Sequence, residues 1–92
     1  MAKNELKDYT IYKDRPLVRG DGIFCYGDPK GKFCAILTVL TTKPVRGQEI
    51  SDLIFIQLMN NETGEEIKQA QRSGLYEALD LCTVWLDREE KK

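Results

Sequence analysis

As far as Gly74, apolar and polar residues alternate or run together in short blocks bounded by Gly, Pro, Asp and Asn, the period of strands and tight turns. Tyr9-Thr10-Ile11-Tyr12 reads as a short strand stopped by Lys13-Asp14-Arg15-Pro16. Leu17-Val18-Arg19 and Ile23-Phe24-Cys25-Tyr26 read as two more, joined through Gly20-Asp21-Gly22. Asp-Gly between apolar runs predicts a hairpin, because both turn positions must tolerate positive φ. Asp28-Pro29-Lys30-Gly31 predicts a second turn, with proline at the position it prefers.

Phe33 to Thr42 is the longest strand expected, followed by a loop over Lys43-Pro44-Val45-Arg46-Gly47-Gln48 and a further strand over Leu53 to Met59. Asn60 to Gly64 is a turn. Glu65 to Arg72 has helical propensity, but the turn before it and Gly74 after it favour a polar edge strand closing a meander.

Beyond Gly74 the period becomes helical. Leu75, Ala78, Leu79, Leu81, Cys82, Trp85 and Leu86 fall within an arc of roughly 160° on a helix, with Glu77, Asp80, Val84 and Asp87 opposite and Ser73 as the expected N-cap. The predicted fold class is therefore α+β, an antiparallel β-meander of four or five strands with one C-terminal helix packed on one face. Trp85, Leu79, Leu75 and Cys82 are expected to dock on Ile36, Leu40, Ile54 and Ile56 or on their alternate set. Residues 1–8 are polar and expected to form a flexible tail before a single domain over 9–92.

The long strand offers two alternate sets, Phe33, Ala35, Leu37, Val39 and Cys34, Ile36, Thr38, Leu40. Both are largely apolar, so both sheet faces need covering. One helix covers one face, and 92 residues leave little for a further layer. A homodimer is expected from that mismatch.

Composition narrows the function classes. The chain is 41% hydrophobic and 32% charged, ordinary for one soluble domain. Lys+Arg 14 against Asp+Glu 15 gives a net charge of -1, so no global field draws nucleic acid or an anionic membrane. The charged start and the lack of a long apolar run predict a cytoplasmic location without membrane association. Three cysteines without metal-type spacing fit reduced thiols. Histidine is absent, which removes the usual general base and the commonest transition-metal ligand. No enzyme activity, cofactor or metal is expected.

Three constellations remain. Cys25 and Cys34 flank the second turn in a register that sets Tyr26 against Phe33 and the two thiols opposite each other. A redox pair is the sharp reading, and two small buried hydrophobes the favoured one. Arg15, Arg19, Tyr26 and Lys32, amid the aromatics of the N-terminal hairpins, resemble a single-strand nucleic-acid surface. The first half of the chain leans basic, but Asp8, Asp14, Asp21 and Asp28 are interspersed, and strand aromatics are usually core. Glu77, Asp80 and Asp87 read as a solvated helix face.

Pro16-Leu17-Val18-Arg19, Tyr26-Gly27, Gly74-Leu75-Tyr76-Glu77-Ala78-Leu79-Asp80 and Trp85-Leu86 together resemble a small bacterial protein family of unknown function, over about Tyr12 to Trp85. The resemblance implies a strand-rich domain ending in one helix and transfers no active site. The expected function is a non-enzymatic cytoplasmic binding or assembly module acting as a homodimer with an unknown partner. The alternatives are a single-stranded nucleic-acid binder and a thiol redox protein through Cys25 and Cys34.

Overall fold

A computed structural model describes residues 9–28 and 30–91. The expected N-terminal tail, and Pro29 of the second turn, lie outside the described residues. Among the described residues the strands are β1 (Tyr9–Tyr12), β2 (Arg15–Arg19), β3 (Ile23–Tyr26), β4 (Phe33–Val39), β5 (Thr42–Val45), β6 (Gln48–Ser51), β7 (Leu53–Asn60) and β8 (Glu66–Ser73), followed by the helix α1 (Leu75–Glu90). Six of the strands form one antiparallel sheet in the order β1-β2-β3-β4-β7-β8. The architecture is the expected α+β meander, with six strands in place of four or five.

Two of the hairpins have local causes. Lys13 and Asp14 both take positive φ, at 49° and 68°, and close β1 on β2 in two residues without a glycine. The segment expected as a loop at Lys43–Gln48 is instead a separate hairpin of β5 and β6, turned by Arg46 and Gly47 at φ 53° and 82°. This arm extends the β4–β7 pair beyond a break where Asp52 N–H donates to Thr41 O and Leu53 N–H to Thr41 Oγ1. Residues 41–50 are all exposed.

The core lies between the sheet and α1. Leu17, Phe24, Tyr26, Phe33, Ala35, Leu37, Ile54, Ile56 and Leu58 meet Ala78, Leu79, Cys82, Trp85 and Leu86. The helix therefore selects the Phe33–Ala35–Leu37 set, leaving Ile36 on the opposite face and Leu40 exposed. Residues 66–73 are a strand, as favoured, and Lys68 lies across the Trp85 ring at 5.8 Å. That cation points toward the helix layer from an edge strand, a feature that discourages edge-to-edge pairing.

Ser73 does not cap α1: it ends β8, and Gly74 is the N-cap without a side-chain hydrogen bond. Gly74 has φ 92° and ψ 141°, a region that side-chain-bearing residues avoid. Its amide donates to Asp52 O at 2.7 Å, tying the helix start to the base of the arm.

The β3–β4 connection also departs from expectation. Tyr26 pairs with Ala35 and Cys25 with Ile36, so Cys25 and Cys34 are not directly opposed. Gly27, at φ 113°, turns its amide to Pro16 O on β2 and packs so closely that a Cβ would lie 3.3 Å from Cys34 Cα. Asn61 holds the widened loop, its amide donating to Lys32 O and its side chain to Gly31 O.

Candidate functional site

The proposed nucleic-acid contacts do not form one surface. Tyr26 is fully buried, and its hydroxyl donates to Tyr12 O at 2.8 Å while lying 3.2 Å from Thr83 Oγ1. Arg15 faces the helix, bridging Asp87 at 2.7 Å and Glu90 at 2.8 Å with its side chain 16% exposed. Burial works against its charge, but the two carboxylates outweigh that and raise its pKa. Arg19 lies 6.0 Å over the Phe24 ring and lines a cleft of about 520 Å³ between the arm and the start of α1, whose walls include Phe24, Ile50, Leu75 and Tyr76. Lys32 is at the other end of β4, 5.8 Å over Phe33.

The helix carboxylates serve the fold. Lys13 Nζ and the Tyr12 hydroxyl both donate to Asp80 Oδ1, at 2.9 and 3.1 Å. Lys13, then Tyr12, lowers the Asp80 pKa, and Arg15 lowers that of Asp87 through its hydrogen bond. Asp80 and Asp87 thus pin the β1–β2 hairpin to α1. Sequence reasoning missed these pairs, although acids seven residues apart on one helix face are aligned to meet a neighbouring element.

The thiols occupy three environments. Cys82 is buried, and burial pushes its pKa up to about 12. Cys34 is half-buried and donates to Asn61 Oδ1 at 3.0 Å; burial first, then the nearby Cys25, raises its pKa. Cys25 is exposed. With the two offset diagonally across β3 and β4, their general Cβ spacing is about 7–8 Å or a little less, beyond the roughly 3.5–4.5 Å a disulfide requires. Among the described residues, no three His, Cys, Asp or Glu side chains come together to hold a metal ion.

No family model, curated protein or solved structure matches this chain.

Among the described residues, no element covers the sheet face opposite α1. Because opposed residues share a face, one row across it is Val18, Cys25, Ile36, Gln57 and Gln69, and the next is Ile23, Thr38, Phe55 and Gln71. Cys34 and Met59 lie on the other side of the central row. Val18 is 39% exposed and Ile11, on the outer strand, 56%. Among the described residues the strands bring one charged side chain to this face, Glu66 at a corner, where Gln57 Nε2 donates to it. In a chain that is 32% charged, such a face is unusual for a surface left to water. No helix of the described residues is long and apolar enough to cross a membrane.

Proposed function

We propose that this chain is a non-enzymatic assembly module that works as a homodimer, two copies meeting through the helix-free sheet face. The observation that carries this reading is the near absence of charge from that face. A face that packs on its own copy must be self-complementary, and a charged cluster near the symmetry axis would oppose itself. Apolar side chains with neutral Thr and Gln between them meet that condition. Three of the ion pairs hold the β1–β2 hairpin to α1 and Lys43–Asp52 lies at the base of the arm, which supports a structural use for these charges.

The size of the face is consistent with modest affinity. Six strands spaced about 4.8 Å apart, with ladders of three to seven paired residues averaging about 17 Å, give a footprint of about 400 Å² per copy. The total of about 800 Å² is at the small, transient end of protein interfaces. Dissociation in the micromolar range or weaker is expected.

The test is solution mass by light scattering across concentration, for the native chain and for Ile36→Lys. The native chain should approach twice its 10.6 kDa mass as concentration rises, and Ile36→Lys should stay monomeric while melting as a folded protein. A native chain that stays monomeric at millimolar concentration would overturn the proposal.

A further inference from the structure

Given the dimer proposed above, we infer that its two-fold axis runs along the seam between β3 and β4, so that Cys25 of each copy receives Ile36 of the other. Three strands lie on either side of that seam in the order β1-β2-β3-β4-β7-β8. Along the strands, the row through Cys25 and Ile36 is central, with Ile23 and Thr38 on one side and Cys34 on the other. The middle of the uncharged face is therefore the Cys25–Ile36 pair.

Size fixes the axis there. For sheets stacked face to face, the axis lies in the plane between them. Moving it sideways by one strand displaces the copies by two strand spacings, about 10 Å. Four of the six strands would then still overlap. An interface already near the minimum area would fall well below it.

Side-chain volume fixes the direction. With the axis parallel to β3 and β4, each strand lies over the other strand of the partner, and Cys25 faces the partner's Ile36. The large side chain meets the small exposed one, and symmetry repeats the contact. With the axis across the strands, Ile36 would meet its own copy and Cys25 would meet Cys25, leaving a clash beside a gap. Sheets pack about 10 Å apart, and the lateral offset is one strand spacing, so the two Cys25 Cα atoms lie about 11 Å apart.

The experiment is crosslinking with a short bis-maleimide in the Cys34→Ser background, where serine keeps the donor to Asn61 and Cys82 stays buried. Mass is read by light scattering on the same sample. A control chain carries Cys25→Ser, Cys34→Ser and Val84→Cys, its one exposed thiol being on the outer face of α1, where Val84 is 44% exposed. The expected result is a covalent dimer through Cys25 in most of the protein, with at least a tenfold lower yield from the control. Ile23→Cys in the Cys25→Ser, Cys34→Ser background should crosslink in a yield equal to that through Cys25. Ile23 is one row away along the strands, where an axis across the strands would set the two copies about 17 Å apart. A reduced yield there would overturn the direction of the axis. A sample of dimeric mass that crosslinks no better than the control would overturn the axis and leave the dimer standing. A sample of monomeric mass would overturn both.

Discussion

Replacing Tyr26 by phenylalanine removes one oxygen from a polar cluster enclosed between the sheet and α1. The Tyr26 hydroxyl has one proton, which it donates to Tyr12 O at 2.8 Å. Thr83 Oγ1 has one as well, and Leu79 O at 2.9 Å accepts it while Tyr26 Oη lies 3.2 Å away. Tyr26→Phe leaves the Thr83–Leu79 bond intact and deletes the bond that fastens the end of β1 to β3. The ring itself, edge-on to Tyr12 at 5.9 Å, can stay in place. One buried hydrogen bond and the desolvated carbonyl it leaves are together worth roughly 1.5 kcal/mol. For a domain of this size that lowers the melting temperature by about 6–12 °C. The assay is thermal unfolding by circular dichroism, with Tyr76→Phe as the reference, since Tyr76 is 70% exposed and its change should stay within about 0.5 kcal/mol. A tyrosine stacked on nucleic-acid bases in solvent would tolerate the same replacement, because phenylalanine keeps the ring. If Tyr26→Phe melts together with Tyr76→Phe, the buried role assigned to this hydroxyl is wrong.

Gly74→Ala meets no atom within 4 Å, so its cost is conformational and should be about 1–3 kcal/mol, read as a drop in melting temperature; an unchanged melt would deny the strained cap. Arg15→Met should destabilise at neutral pH, but not in acid. Arg15 lowers the folded pKa of Asp87, so that carboxylate contributes stability above its unfolded pKa and loses it as pH falls through the folded one. The gap between the two proteins should accordingly narrow below about pH 4 in denaturant titrations, and a constant gap would contradict the ion pair. Under a mild alkylating reagent the order of reaction should be Cys25, then Cys34, with Cys82 modified only on unfolding; peptide mapping that finds Cys82 modified early in the folded protein would contradict the packing of α1.

The period of 3.6 along Leu75–Leu86 identified both the helix and its buried side, because a single face of a single helix carries the core contacts. The edge strand at 66–73 was legible from its flanking turn and Gly74, despite helix-forming residues, since pairing with β7 overrides local propensity. Which face of β4 meets the helix was undecided on β4 alone, where both sets are apolar. The deciding residue is on the neighbouring strand: Gln57 lies mid-strand in the Leu53–Phe55–Met59 set, and Ile54, Ile56 and Leu58 of the other set can be buried without an amide among them. The β5–β6 arm was illegible because it buries no stripe of its own. The β3–β4 register depended on Gly27 bonding back to β2 and on Asn61 reaching over from the β7–β8 turn, long-range contacts that no local pattern encodes. For the same reason the aromatic and basic residues of the first hairpins looked like a surface. Tyr26 is in the core, and Arg15 is engaged by acids more than seventy residues away in the chain.

The most direct measurement is an isotope-filtered NMR experiment on a mixed sample, half of the chains labelled and half not, at a concentration where the mass is dimeric. Intermolecular contacts should join methyl groups of the helix-free face, with Ile36, Val18 and Ile23 foremost. Intermolecular contacts confined to the arm or to the outer side of α1, with none from Ile36, would contradict the proposal that this face is where two copies meet.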